Sequence, residues 1–358
     1  NCGQVVHQWE DESEFRPGNS VYLLDNGNLV KCKRASTSAV NDRIWAGGGG
    51  ETVEIRNWEN ELLHSFTLND SLYRLHHDIA PMPNGNVLMI AWALKDSLKS
   101  IAAGRNPDLM AQGEVWSEVI LEWNPSLDSI VWEWHVWDHL IQDFDAIKDN
   151  FGNPSEYPQL IDLNYDEHNG HPDWLHINSI DYNPILDQIV LSVPYFNEYW
   201  IVNHNLTTDE AATENGDLLH RWGNPKAYGA VGAQQLFFQH DVHWVNPVAS
   251  FGTGDFGVLA LFNNRVGEAT STGNLIATSP TEEGQYTFGQ PNTFNYTYTH
   301  PENDTLAYSN SLSGMQLLPN GNALLLAGRY GFAYEVTPDN EIAWEYRIPI
   351  RAGRLVEQ

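Results

Sequence analysis

Short apolar runs separated by polar turns recur along the chain, and one unit repeats. An apolar strand meets an Asn-Gly-Asn turn and a second apolar strand follows: Val21-Tyr-Leu-Leu-Asp-Asn-Gly-Asn-Leu-Val30, Asp78-Ile-Ala-Pro-Met-Pro-Asn-Gly-Asn-Val-Leu-Met-Ile90 and Met315-Gln-Leu-Leu-Pro-Asn-Gly-Asn-Ala-Leu-Leu-Leu326. Asn-Gly between such runs is the strongest short hairpin signal, and it predicts φ > 0 at both turn positions. Two further copies, Ile177 to Val193 and Asp241 to Phe262, turn at Asn-Pro instead. A second hairpin follows each first one and ends near Trp-Glu, as in Ile130-Val-Trp-Glu-Trp134, Leu218-Leu-His-Arg-Trp222 and Ile342-Ala-Trp-Glu-Tyr346.

Two hairpins per unit make a four-stranded antiparallel blade, and a tandem array of blades predicts an all-β propeller in one domain over residues 1–358. Five first hairpins are visible. Six blades are expected and five is the alternative, because 264–310 is poorly patterned and has room for hidden strands. Val5-Val-His-Gln-Trp-Glu10 resembles a lone final strand, which predicts a ring closed by joining the chain ends. An insertion at about 135–173 interrupts the pattern. It starts with apolar residues at helical spacing from Trp137 to Ile147, which predicts a short helix. A loop of lid-like length follows from Gly152 to Pro172. Thr270 to Asn303 reads as a second surface excursion.

Composition changes the picture in two ways. The formal net charge is -29, which repels nucleic acid and anionic membrane, so neither is an expected partner, and an anionic substrate needs a local positive patch. No apolar run is long enough to span a bilayer. The two cysteines, Cys2 and Cys32, are too few for a disulfide scaffold, and a single bridge stapling the N-terminus is expected in an oxidising compartment. A start at Asn1 without Met reads as a processed or trimmed chain.

In a propeller the first strand of each blade lines the central channel. The residues that open these strands are polar: Asn19-Ser20, His76-His77-Asp78, Trp174-Leu-His176-Ile-Asn178-Ser179, Gln239-His240-Asp241-Val-His243-Trp244 and Ser311-Leu-Ser313-Gly314. A packed core does not need imidazoles at matching places in three repeats, so these positions mark a site. Two chemistries stay open: nucleophilic and acid–base catalysis, or a His-bound divalent metal. His240 and His243 point to opposite faces of a regular strand and share a site only across a bend or bulge.

These residues carry a resemblance. His77-Asp78, His176-Ile-Asn178-Ser, Gln239-His240-Asp241, the Leu-Pro-Asn-Gly-Asn turn, Asp181-Tyr-Asn-Pro and Arg221-Trp-Gly-Asn-Pro together resemble the arylsulfotransferase (aryl-sulfate sulfotransferase) family from the first blade to Trp344. The resemblance implies a secreted, periplasmic or cell-surface six-bladed propeller. It would move a sulfuryl group between phenolic compounds through a transiently sulfated histidine, without a cofactor. By that resemblance His240 is the sulfated residue, His176 and Asn178 hydrogen-bond the sulfuryl oxygens, and His77, or alternatively His76, serves the phenol oxygen. His243, Trp174 and Trp244 flank the site as candidate substrate contacts. The family's arginine, expected in the strand paired with the His-x-Asn strand, is replaced by Pro194. Arg329, Arg265 or Arg221 would then have to supply the charge, and Arg329 is the first candidate, since it ends the second strand of the last clear blade.

The alternative is a non-transferase propeller that binds a metal or small ligand through its histidines, alone or as part of a surface assembly, or a lyase or hydrolase on the same platform. Weaker signals are the sequons at Asn69, Asn205, Asn295 and Asn303, the run Gly47 to Gly50, read as a flexible loop, and the acids of Asp162 to Glu167, read as a solvated loop with Ca2+ binding as the alternative.

Overall fold

The computed structural model describes residues 4–12, 14–35, 44, 46–301, 307–348, 350–351 and 354–355. Five four-stranded antiparallel sheets follow one another along the chain, each with its strands in sequential order, arranged as a β-propeller. Blade 1 holds β1 (Phe15–Leu23), β2 (Leu29–Ala35), β3 (Thr52–Arg56) and β4 (Leu62–Thr67). Blade 2 holds β5 (Tyr73–Pro81), β6 (Val87–Asp96), β7 (Glu114–Asn124) and β8 (Ser129–His135). The insertion contributes a small parallel pair, β9 (Leu140–Ile141) and β10 (Ile161–Asp162). Blade 3 holds β11 (Ser179–Asn183), β12 (Gln188–Val193), β13 (Glu198–Asn203) and β14 (His220–Trp222). Blade 4 holds β15 (His240–Trp244), β16 (Val258–Gly267), β17 (Thr270–Ala277) and β18 (Tyr296–Tyr298). Blade 5 holds β19 (Gly314–Leu317), β20 (Ala323–Ala327), β21 (Phe332–Val336) and β22 (Ile342–Arg347).

The core lies between blades. Leu88 and Ile90 of blade 2 meet Ile180, Leu191 and Trp200 of blade 3. Val190 and Ile201 meet Val242, Leu259 and Leu261 of blade 4, and Phe262 meets Met315, Leu325 and Tyr334 of blade 5. Strands buried on both faces explain why their sequences read as continuous apolar runs. No helix is long and apolar enough to cross a membrane among the described residues.

Several expectations change. The strands within 264–310 complete blade 4, so they make no sixth blade, and Thr270–Ala277 and Tyr296–Tyr298 at the two ends of the expected surface excursion are sheet. Blade 5 has its own fourth strand, and residues 4–12 form none. Instead His7 stacks on Trp58 at 3.9 Å and Trp9 Nε1 donates to Asn57 O at 2.9 Å, tying this segment to blade 1. The Asn-Gly-Asn turns take φ > 0 only at Gly27, Gly85 and Gly321. Leu24 accepts from Gly27 N–H and donates to Asn28 O, a three-residue loop closed by a left-handed glycine. No helix forms over 137–147. Val136–Asp138 makes one 3-10 turn, and Gln142 Oε1 then accepts the Phe144 and Asp145 N–H groups while Phe144 and Ile147 stay exposed. The side chain competes with the helical hydrogen bonds, and the core is reached by Trp137 and Leu140 without a helix. Cys2 lies outside the described residues, and Cys32 forms no disulfide among them.

At the channel the inner strands are tied together by carboxylates. Asp78 accepts from Ile180 N–H at 3.2 Å, Asp181 from Trp244 N–H at 2.8 Å and Asp241 from Met315 N–H at 2.8 Å. Ser20 and Tyr22 of blade 1 donate to Asp78 at 2.6 and 3.1 Å. Enclosure, with Asp241 adding repulsion, pushes the Asp78 carboxyl up to about 6.

The folded protein therefore holds this proton more tightly than the unfolded chain, whose carboxyls titrate near pH 4. The contribution of Asp78 is fully present below about pH 4 and is lost as the pH rises through 6. Chemical unfolding between pH 4 and 7 should show wild type losing stability relative to Asp78→Asn as pH rises; parallel curves would refute the assignment.

Candidate active site

The residues that open the inner strands share an unusual backbone. His77, His176, Phe238, Asp241 and Leu312 have φ of 53, 58, 58, 60 and 61°, and Ser313 has 101°. Left-handed non-glycine residues cost about 1–3 kcal/mol each and persist where the surroundings hold them. The ladders slip between Leu75 and Ile79 and between His240 and His243, so bulges interrupt both strands. Bulges of this kind re-aim the side chains beside them.

Three imidazoles meet on the blade 2–blade 3 side. His76 Nδ1 and His77 Nδ1 lie 2.8 Å apart, and the rings of His77 and His176 lie 4.4 Å apart, edge to face. His76 is buried, stacked on Trp92 at 4.0 Å. Burial, reinforced by His176, pushes both His76 and His77 well below the usual histidine range, so both are neutral. Gly48 leaves room for His77: a Cβ there would stand 2.1 Å from Nε2. The glycine run is therefore a wall of the site, with Gly48 O accepting from His77 N–H at 2.7 Å.

His176 is oriented by Asp173, whose Oδ2 accepts from Nδ1 at 2.6 Å while Oδ1 accepts from Trp92 Nε1 at 3.0 Å. This leaves Nε2 as the working nitrogen. Behind it, buried Glu118 accepts from Ile177 N–H at 3.2 Å, and burial, then Asp173, pushes its carboxyl well up.

His240 stands on the next blade. Its Nδ1 lies 2.8 Å from Asn264 Oδ1, and its Nε2 accepts from Leu312 N–H at 3.1 Å. Asn264 is itself held, donating to the carbonyls of Ser309 and Leu312, both at 2.8 Å. Burial pushes His240 down to about 4 against the opposing pull of Asn264, so it is a neutral imidazole with a proton on Nδ1 and a lone pair on Nε2. Asn178 donates to Gln239 O at 2.9 Å, so it positions the His240 segment from blade 3.

Beside these groups opens a cleft of about 370 Å³ whose walls include Pro194, Tyr195, Phe237, Phe238 and Arg265, with His168 on its edge. Tyr195 stacks on His176 at 4.9 Å, and Phe238 lies 5.6 Å from both Tyr195 and His240.

Other expected site residues fall elsewhere. Despite the bulge, His243 stays with the carboxylates, its Nδ1 at 2.9 Å from Asp241 O. Trp174 and Trp244 are core: Trp174 donates to Tyr165 O at 3.0 Å and packs on Phe196, and Trp244 sits in the blade 3–blade 4 core. Arg221 is buried against Glu198. Arg329 is exposed in the turn after β20 and is not among the walls of the cleft, whereas Arg265 is. Of the Asp162 to Glu167 acids, Asp166 pairs with Arg105 at 2.7 Å. Among the described residues no group of three or more His, Cys, Asp or Glu is placed to hold a metal ion.

Sequence reasoning missed Asp173, Asn264, Tyr195, Phe238 and the role of Gly48. Asp173 and Phe238 carried a local signal, three residues before His176 and two before His240. Asn264, Tyr195 and Gly48 come from second strands and loops that reach the site through the fold.

The chain is similar to proteins of known structure. A protein of unknown function from Bacteroides caccae has a similar fold at 10% identity, with 96% of this chain and 86% of the other covered and a TM-score of 0.50. A protein of unknown function from Dyadobacter fermentans aligns at 11% identity over 94% of this chain and 84% of its own, with a TM-score of 0.49. No curated protein matches the sequence. Residues 60–348 match the family model described as Arylsulfotransferase (ASST), and with most of its length so matched the chain belongs to the arylsulfotransferase family.

Proposed function

We propose that the protein transfers a sulfuryl group between phenolic compounds through His240. The observation that carries this reading is the state of that imidazole: Nδ1–H bonded to Asn264 Oδ1 and a proton affinity lowered by burial, which leaves Nε2 a neutral nucleophile at ordinary pH. In the first half-reaction Nε2 attacks sulfur, the N–S bond forms and the S–O(aryl) bond breaks. The phenolate oxygen takes a proton from His176 Nε2. In the second half an incoming phenol gives its proton back to His176, its oxygen attacks sulfur, and the N–S electron pair returns to His240.

Asp173 supports this exchange by holding the His176 ring through Nδ1, so that Nε2 is the nitrogen left for the phenol oxygen. The Leu312 N–H that now caps His240 Nε2 is the nearest donor for a sulfuryl oxygen once sulfur takes its place. His77, neutral and backed by His76, offers a second donor from Nε2. Asn178 acts through the backbone of Gln239, as a positioning residue. The family resemblance also implies a secreted, periplasmic or cell-surface setting.

With 4-nitrophenyl sulfate as donor and phenol as acceptor, wild type should release a burst of nitrophenolate and carry label from a [35S]-sulfate donor, and His240→Ala should do neither. Unlabelled wild type with steady turnover would remove the covalent step. The donor half-reaction should gain rate as pH rises through about 4 and be level on that limb by neutral pH, because only the neutral form attacks; a limb at the ordinary histidine value would show that His240 is not the buried nucleophile. Asp173→Asn should slow transfer by about 10²-fold or more, since general acid–base catalysis supplies about 10²–10⁴. The loss should be larger for phenyl sulfate than for 4-nitrophenyl sulfate, whose leaving group needs little protonation; equal losses would reassign the acid.

A further inference from the structure

An anionic substrate approaching a chain of net charge -29 needs a cation that no carboxylate has already claimed. Arg221 is paired with Glu198, Arg105 with Asp166 and Arg56 with Glu54. Arg265 differs. It follows Asn264 on β16, its Nε donates to Asn310 O at 2.8 Å, and its guanidinium lies 3.6 Å over the ring of Phe238. No ion pair holds it among the described residues, and its two terminal nitrogens have no hydrogen-bond partner there. The stack fixes the plane of the fork while its donor edge stays open to the aromatic cleft. The acid on that cleft, Glu167, already accepts from Asn197 Nδ2 at 3.2 Å and stands 4.0 Å from Lys226 Nζ.

We propose that Arg265 is the anion-recognition residue of this protein, and that the cleft between Tyr195 and Phe238 receives the sulfate ester of an aromatic donor. The inference rests on the sulfuryl-transfer reading and names the place where its donor binds. One phenyl ring separates the guanidinium from His240, 5.6 Å from ring to ring on the inner side. Arg265 therefore holds the sulfate and its ester oxygen at the entrance, with the aryl group against Tyr195 and Phe238, before sulfur advances to Nε2. Pro194 is part of the same cleft, so the cation absent from the blade 3 strand is supplied across the cleft from blade 4.

The test is equilibrium binding by calorimetry of 2-naphthalenesulfonate, an aryl anion with no transferable sulfuryl group, beside neutral 2-naphthol. Arg265→Ala should weaken the sulfonate about 10- to 100-fold, the worth of a charge-assisted hydrogen-bonded pair, and leave naphthol unchanged. Adding Pro194→Arg to Arg265→Ala should restore part of the sulfonate affinity, because the new guanidinium enters the same cleft. Sulfonate binding unchanged in Arg265→Ala would overturn the proposal, and so would an equal loss of naphthol, which would mark a structural role. Binding is read without turnover. Arg265-dependent sulfonate binding in a protein that never releases nitrophenolate would keep the recognition site and discard the transferase; turnover indifferent to Arg265 would do the reverse.

Discussion

The structure depends on one constraint: inner strands that converge on a common channel must have their polar backbone satisfied across blade boundaries. Buried N–H groups cannot be left without partners. Here the partner is a carboxylate from the preceding blade, Asp78 for Ile180, Asp181 for Trp244 and Asp241 for Met315. These links set the rotation of each inner strand relative to the next. The apolar sandwiches between blades supply most of the burial, but an apolar surface is non-directional and would tolerate small rotations. The carboxylates do not.

The site is a consequence of that arrangement. At the mouth of the channel the inner strands bend through left-handed residues and bulges beside the histidines. A regular strand would send His240 and its neighbours alternately into the channel and into the blade. The kinks bring imidazoles from separate blades together while the second strands supply what orients them, Asn264 for His240 being the clearest case. Strain at the mouth is held by the sheets behind it.

Electrostatics divides the channel into two levels. The carboxylates form one, with His243 beside Asp241. The neutral imidazoles of His77 and His240 form the other, kept from taking a second proton chiefly by burial. A nucleophilic nitrogen needs its lone pair, and a field set only by the acidic surface would favour protonation. Burial counteracts that field locally, and Arg265 at the cleft adds the positive charge that the overall composition lacks.

The repeat, the four-stranded blade and the five first hairpins were legible in sequence, because apolar alternation and turn residues are local properties read by neighbouring backbone. His77, His176 and His240 were legible for the same reason: they occupy one place in a repeat. Blade number was not, since the strands of 264–310 carry Thr, Asn and Gly where apolar residues would announce them, and only pairing with β16 defines them. The expected helix failed because Gln142 captures the turn N–H groups, a contact that periodicity does not encode. Trp174 and Trp244 flank the histidines in sequence yet face the core, and the arginine that lines the cleft is Arg265 rather than Arg329. Sequence alone determined that His77, His176 and His240 stand at matching places of the repeat. Only the tertiary structure decided which of them meet and which cation reaches the cleft, because those contacts join separate blades and depend on the rotation of one sheet against the next.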